Sequence, residues 1–295
     1  MSENPDRERE FNYSANDFEK VRVILYKMAG ISLSDSKKQL VYSRLARRLR
    51  ALGLEQFSDY LTYLNQSETE QEEFINALTT NLTAFFREEH HFVTLADYAR
   101  NHAQNQAKNI TDQHRNLRIW CAASSTGEEP YSIAMTLAEA YGTYTPPIEI
   151  IASDIDSNVL RDASAGVYTA QRLESVSLDR KKQFFQRGKG ANAGKARVRT
   201  ELRQLIEFKQ LNLLDAYWPL KGHFDIIFCR NVMIYFDKQT QLKLLERMTK
   251  LLTPGGLYFA GHSESFTQAA HLVKLVGKTT YALARPKSQE SAHEF

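Results

Sequence analysis

Residues 117–131 read L-R-I-W-C-A-A-S-S-T-G-E-E-P-Y. Leu117, Ile119, Trp120 and Cys121 form the short apolar run of a strand buried on both faces, and the run stops in small residues from Ala122 to Gly127. Past that loop Glu128 and Glu129 stand at the start of a helix, Pro130 suits its first turn, and Ile133, Ala134, Leu137 and Ala138 continue an apolar face. Strand, small-residue loop and helix in this order open a nucleotide-binding α/β sheet.

The loop selects its ligand by charge. A pyrophosphate cradle has several glycines and a helix N-terminus left free for an anion. Here Gly127 is the single glycine and two carboxylates hold the helix start. That arrangement favours a cationic ligand such as S-adenosylmethionine, which carries a sulfonium and an ammonium and no phosphate, over NAD or ATP. The alternative is that Glu128 and Glu129 simply complement the helix dipole.

Downstream, Pro146 and Pro147 turn the chain into a second strand over 148–153. It ends at Asp154, a carboxylate placed to accept from both ribose hydroxyls, while Asp156 reads as the cap of a helix over 158–163. Residues 165–205 then break the alternation. They hold an extended piece at Val167 and Tyr168, a short helix over 179–185, and R-G-K-G-A-N-A-G-K-A-R-V-R-T, a glycine-rich turn between extended segments. This predicts a small antiparallel subdomain whose turn is flanked by Arg187 and Arg197. It is either an edge that takes an extended acidic or carboxylate-ended peptide by strand addition, or an irregular insertion with solvated charges. The sheet resumes over 206–211 and ends at Asn212 and Leu213, whose backbone and amide groups suit an adenine edge. Further strands follow at 224–229, leading into C-R-N-V-M-I-Y-F, at 257–261 after a T-P-G-G turn, and at 281–284, paired with 273–276 as an antiparallel hairpin. G-H-S-E-S at 261–265 lacks the closing glycine of a hydrolase elbow, and no Asp follows it to complete a triad.

Upstream, residues 1–12 are polar and read as disordered. Phe18, Val21, Leu25 and Met28 recur at helical spacing up to Gly30. A second helix over 34–52 has Val41, Leu45, Leu49 and Leu52 on one face and Lys37, Arg44, Arg47 and Arg48 on another. Phe57, Tyr60, Leu61 and Leu64 mark a third helix, and Phe74, Ile75 and Leu78 a fourth. The chain therefore divides into a disordered start (1–12), an all-helical domain (13–90), an α/β domain (91–285) carrying the β-subdomain at about 165–205, and a flexible tail (286–295). The basic arc is either a solvated face or a docking face for an acidic partner; it has no interleaved aromatics for stacking bases. N-L-T-A-F-F-R at 81–87 either caps the next helix or lines a site. His90 and His91 are adjacent, so on a helix they point apart and cannot share a metal as an i, i+4 pair would; no metal site is expected.

A composition of 42% hydrophobic and 25% charged residues excludes collagenous and disordered classes, and a net charge of +3 over 295 residues gives no reason to expect nucleic-acid binding. Cys121 and Cys229 both fall in apolar runs, which suggests buried reduced thiols in a cytoplasmic protein. The N-terminal stretch has no apolar signal core, and no stretch approaches the roughly 18 apolar residues of a membrane span.

Five motifs agree with one family: N-L-T-A-F-F-R at 81–87, S-T-G-E-E-P-Y-S at 125–132, A-S-D-I-D at 152–156, F-C-R-N-V-M-I-Y-F at 228–236 and G-H-S-E-S at 261–265. Over residues 15–285 the chain closely resembles the bacterial chemotaxis-receptor glutamate methyltransferases, the CheR family. The resemblance implies a class I S-adenosylmethionine-dependent methyltransferase sheet, Rossmann-like, with an inserted antiparallel β-subdomain and a preceding all-helical domain. It implies methyl transfer to glutamate carboxylates of chemoreceptors in sensory adaptation, with S-adenosylhomocysteine as product, by a monomer. Asn81, Thr83, Arg87, Glu129, Asp154, Asn212, Leu213, Arg230 and Asn231 would contact the cofactor, and Arg87 and Tyr235 would lie near the reacting carboxylate. The helix bearing Arg44, Arg47 and Arg48 would meet the receptor's methylation region. Arg187 and Arg197 would hold a C-terminal receptor pentapeptide, a tether that raises local substrate concentration without touching the chemistry.

A glutamate of ordinary pKa, about 4.3, is already ionised at neutral pH, so the nucleophile needs no general base. A DNA methyltransferase would present a proline-bearing polar motif where R-N-V-M-I-Y stands, and a nicotinamide oxidoreductase is disfavoured by the carboxylates of the first loop. A non-catalytic receptor adaptor that binds the cofactor would keep the same fold.

Overall fold

The computed structural model describes residues 10–108 and 115–284. The expected tail at 286–295 and residues 1–9 of the expected disordered start lie outside the described residues. Within residues 10–12, Phe11 is buried in the helical core, and its N–H donates to the Tyr42 hydroxyl at 3.3 Å, while Glu10 and Asn12 are exposed.

The helical part comprises α1 (Ala15–Ala29), α2 (Lys38–Leu52), α3 (Phe57–Gln66) and α4 (Glu68–Leu78). A capping box between Ser14 and Asp17 opens α1, and Gly30 closes it at φ 68°. Gly30 is required on two counts, since a Cβ there would also lie 2.7 Å from Leu214 Cδ1 in the following domain. Val21, Leu25, Val41, Leu45, Leu49, Tyr60 and Phe74, the positions picked out by spacing, share one buried cluster.

The basic arc of α2 is not a continuous exposed surface. Arg48 binds the buried Glu70 through two nitrogens, the shorter contact 2.6 Å, and reaches Glu73 at 3.2 Å. Arg44 is half-buried and donates to the carbonyls of Ala77 (3.2 Å) and Thr79 (2.6 Å) at the C-terminal end of α4. These two arginines fasten α2 to α4, because orphan carbonyls at a helix C-terminus and a buried carboxylate both demand donors. Lys37 and Arg47 alone of the four stay exposed.

Residues 81–89 form a turn in which Phe86 and Glu88 take left-handed backbone angles, φ 55° and 59°, so the next helix, α5 (His90–Lys108), opens later than its spacing suggests. There follow β1 (Leu117–Cys121), α6 (Glu128–Tyr141), β2 (Ile148–Asp154) and α7 (Ser157–Ala165). The subdomain contains β3 (Val167–Thr169), α8 (Leu178–Phe184), β4 (Phe185–Arg187), β5 (Lys195–Val198) and α9 (Thr200–Arg203). The sheet is completed by β6 (Ile206–Gln210), β7 (Phe224–Cys229), α10 (Lys238–Thr249), β8 (Leu252–Ala260), β9 (Val273–Gly277) and β10 (Thr280–Leu283).

The main sheet has the order β6-β2-β1-β7-β8-β10-β9. Its first five strands are parallel, and β10 runs antiparallel to both β8 and β9. The chain moves outward from β1 to β6 and then returns to the other side of β1, so the crevice at the carboxyl ends of β1 and β7 is the switch point where such sheets bind ligands. Residues 253–256, T-P-G-G, lie inside β8, where a register shift against β7 absorbs them; the turn expected there is a bulge. The β-subdomain is a separate antiparallel sheet in the order β3-β5-β4, and its β4–β5 hairpin closes on the glycine-rich turn. Among the described residues no helix is long and apolar enough to cross a membrane.

The two kinds of arginine on α2 should separate in a stability measurement. Arg48→Ala leaves the Glu70 carboxylate buried without its guanidinium and should cost about 2–3 kcal/mol in urea unfolding, whereas Arg47→Ala should stay within about 0.5 kcal/mol of the parent.

Candidate cofactor and catalytic site

A cavity of about 300 Å³ sits at the carboxyl ends of the parallel strands, and Asn81, Thr83, Arg87, Glu129, Asp154, Asn212, Leu213, Arg230, Asn231 and Tyr235 all line it. One further wall was not legible in the sequence. It comes from the helical domain, through Ala29, Ile31, Leu33, Lys37 and Leu40. Three hydrogen bonds fix that wall: Ser32 N–H to the Tyr235 carbonyl (3.0 Å), Asn212 Nδ2 to the Met28 carbonyl (2.8 Å) and the Tyr26 hydroxyl to Asp237 (2.7 Å). That last contact, with the Thr240 N–H, draws Asp237 down to about 2.

The loop after β1 is held in an uncommon conformation. Ser125 has φ 46° and Gly127 φ 95°. A Cβ on Gly127 would lie 2.7 Å from the Tyr168 hydroxyl, which donates to the Thr126 carbonyl at 2.7 Å. The result is that Ser125 N–H points at Asp154 Oδ2 (2.8 Å), while Asp156 N–H donates to Oδ1 (3.1 Å). Each Asp154 oxygen thus has one backbone donor and spare acceptor capacity. Burial pushes the Asp154 carboxyl up to about 6, although the backbone donors of Asp156, Ser125 and Ile155 pull it the other way. Asp156 caps α7 as expected, accepting from Asn158 and Val159 N–H, and its second oxygen takes the Thr79 hydroxyl and Asn81 Nδ2, both at 2.8 Å.

Two of the expected contact residues have side chains engaged within the fold. The side chain of Asn81 is directed at Asp156, and its carbonyl accepts from the Ser125 hydroxyl at 3.0 Å, so Asn81 shapes the wall of the cavity. The amide of Asn212 bonds Met28 and the Leu214 N–H, which leaves only backbone at 212–213 for an adenine edge.

The two glutamates of the first loop are not bare carboxylates. Glu128 is buried, faces away from the cavity and is bound by Arg172 (2.7 Å) and the Thr126 hydroxyl (2.7 Å). Glu129 reaches the cavity but is paired with Arg230 Nη1 at 2.7 Å and accepts from the Cys121 thiol at 3.2 Å. Burial raises the Glu129 carboxyl and the guanidinium of Arg230 opposes it. Arg230 is fully buried, and its Nη2 also donates to the Arg87 carbonyl (2.6 Å) and lies 3.3 Å from Glu88. Burial disfavours the charged Glu88, but Arg230, with the His262 N–H and Asn231, outweighs it, so its carboxyl lies below the usual range. Around Arg230, two carboxylates meet one guanidinium, so the cluster presents opposed charges and a net negative one. The Glu264 carboxylate in G-H-S-E-S is consumed structurally, accepting from Met233 and Gly261 N–H.

Residues 81–282 match the family model described as the CheR methyltransferase SAM-binding domain, and residues 16–79 match that of the CheR methyltransferase all-alpha domain. The chain belongs to the CheR methyltransferase family. It is 60% identical over 276 residues to chemotaxis protein methyltransferase 2 of Pseudomonas aeruginosa, covering 94% of this chain and 96% of that one. It is 49% identical to the chemotaxis protein methyltransferase of Salmonella typhimurium (92% and 91% covered) and 48% identical to that of Escherichia coli (91% and 91%). The CheR cofactor, S-adenosylmethionine, fits the donor set. Asp154 offers two acceptors at the tip of β2, and the Glu129–Arg230 pair matches an ammonium and a carboxylate on one amino-acid end.

A carboxyl-resolved NMR titration of the protein without ligand should give Asp154 a midpoint near the value that burial sets, about 6, roughly two units above an exposed aspartate at about 3.9. A midpoint at the ordinary value would mean that water reaches the base of the cavity.

Proposed function

We propose that this CheR family member transfers the methyl group of S-adenosylmethionine to glutamate carboxylates in the cytoplasmic region of chemoreceptors, as a cytoplasmic monomer serving sensory adaptation. The observation that carries the choice of acceptor is the ionisable lining of the cavity. It consists of Lys37, Arg87, Arg230, Glu129, Asp154 and Tyr235, with no histidine, and both carboxylates are committed, Glu129 to Arg230 and Asp154 to two backbone donors. An amine acceptor would need a base to remove its proton. A carboxylate arrives ionised and is attracted by this lining.

When bound, the cofactor would supply an electrophilic methyl group on a sulfonium, which a carboxylate oxygen could take as the carbon–sulfur bond breaks, giving a methyl ester and a thioether. Asp154 would hold the ribose end, and Glu129 with Arg230 would hold the amino-acid end. Thr83 and Asn231 line the span between them, with the backbone at Asn212 and Leu213 beside the adenine. Arg87 and Tyr235 orient the acceptor. Their positions are tied to the cofactor side, since Arg230 grips the Arg87 carbonyl and the helical domain grips the Tyr235 carbonyl through Ser32. Charge disappears as the methyl passes, so a clamp stronger on the carboxylate than on the transition state would slow the reaction. Arg87 is exposed, with Nη1 on the Leu82 carbonyl at 3.2 Å, which suits a loose guide.

For the receptor, Lys37 just before α2 and Arg47 on it are exposed cations, while Arg44 and Arg48 act within the fold. The outer edge of β4 is unpaired in its sheet, and Arg187 beside it is exposed. Arg197 spends Nε on the Ala165 carbonyl at 3.1 Å. An edge strand with exposed cations suits strand addition by an acidic, carboxylate-ended receptor pentapeptide.

Incubation with radiolabelled S-adenosylmethionine and receptor-containing membranes should label the receptors in a base-labile form; label that survives base, as N-methyl groups do, would refute carboxyl transfer. Arg87→Ala should cut turnover about 10²-fold through misplacement of the acceptor with little change in affinity for S-adenosylhomocysteine. Equal loss of both would refute its role as an acceptor guide. Because Asp154 must be ionised to accept from both hydroxyls, affinity for S-adenosylhomocysteine should be flat above pH 7 and fall by up to about tenfold per unit once the pH drops below about 6.

A further inference from the structure

His90 and His91 do not point apart, because they lie at the first turn of α5, where the left-handed Glu88 brings the chain back on itself. Their ring centroids are 4.2 Å apart, and ligand atoms of Glu88, His90 and His91 all lie within 4.8 Å of one another. His91 is completely buried. Its Nε2 is 3.2 Å from the Lys278 carbonyl and 2.8 Å from the Thr279 hydroxyl. A carbonyl can only accept, so Nε2 carries the proton and Nδ1 presents a lone pair. That lone pair faces another acceptor, Glu88 Oε2, at 3.7 Å, which is too long for a direct hydrogen bond. His90 Nε2 and His91 Nδ1 are buried without a hydrogen-bond partner, and Glu88 Oε2 has no hydrogen bond beyond its ion pair with Arg230 at 3.3 Å. Buried acceptors turned toward one another repel unless something positive or donating stands between them.

We infer that Glu88, His90 and His91 form a binding site for a divalent transition metal, with zinc favoured by a donor set of two imidazoles and a carboxylate. The outer contacts have the form such sites need, since a ligating histidine ordinarily gives its other N–H to a backbone carbonyl, as His91 gives Nε2–H to Lys278. Two cations face the cluster: Arg230, 3.3 Å from Glu88 Oε2, and the side chain of Lys278 in the β9–β10 turn, which acts on His90. They lower the affinity below that of a closed structural zinc site. The ion would pin the turn carrying Glu88 against the first turn of α5 and, through the contacts of His91 with Lys278 and Thr279, against the β9–β10 hairpin, which is distant in sequence. It would therefore stiffen the floor on which Arg230 rests, one layer behind the cofactor cavity, and touch neither methyl donor nor acceptor.

The test uses the full chain, stripped with a chelator, dialysed and titrated with Co²⁺ and then Zn²⁺. The wild type should take up about one equivalent, develop the visible ligand-field absorption of protein-bound Co²⁺, and lose it as Zn²⁺ displaces the cobalt. His90→Ala removes a half-buried ligand and should weaken uptake by at least about tenfold, with an unchanged far-UV circular dichroism spectrum; His90→Gln serves if the alanine variant does not fold. No Co²⁺ absorption in the wild type, or equal uptake by the variant, would overturn the proposal and assign the gap to a bridging water.

Discussion

The structure depends on one buried guanidinium. Arg230 follows the fourth parallel strand, at the switch point of the sheet, and from there it neutralises Glu129 at the head of α6, Glu88 before α5, and the carbonyl of Arg87. Taking an arginine out of water costs several kcal/mol unless partners replace the solvent. These partners come from two separate stretches of the chain, 87–88 and 129, so satisfying the charge also fixes those stretches relative to each other and to the end of β7. The reactive end of the site is thereby assembled by electrostatic necessity as well as by apolar packing.

Strain is concentrated in the same place. Phe86, Glu88, Ser125 and Asn231 all hold left-handed backbone angles at or beside the cavity. Non-glycine residues adopt such angles at a cost and keep them only when their surroundings over-determine the conformation. Asn231 is held by Glu88, Ser125 by Asp154 and Asn81, and a Cβ at Gly261 would strike Asn231. Methyl transfer between two pre-aligned groups gains most from such rigidity, because alignment replaces acid–base chemistry.

The strand, loop and helix of 117–141 were legible because their apolar periods are clean, and so were the helical domain and the inserted hairpin; the residues that the family resemblance assigned to the cofactor line one cavity. Hidden from sequence were the partners. Glu128 and Glu129 look alike on paper, yet one faces Arg172 under the β-subdomain and the other Arg230 under the cofactor, a distinction set by residues more than 40 positions away. The arginines of α2 look like one surface, yet Arg44 and Arg48 answer orphan groups of α4. Adjacent histidines seem divergent until the left-handed turn before α5 is known. In each case the missing information was long-range, and no periodicity carries it. The role of residues 29–40 as a wall of the cavity was hidden for the same reason.

The reading of the site turns on opposed charges, Glu129 and Arg230, recognising the amino-acid end of the cofactor. Calorimetry on the wild-type protein with S-adenosylhomocysteine and with 5′-methylthioadenosine, which keeps adenine, ribose and thioether but lacks the ammonium and carboxylate, tests this most directly. Two charge-assisted contacts predict a preference for S-adenosylhomocysteine of about 10²-fold or more; equal affinities would contradict the account.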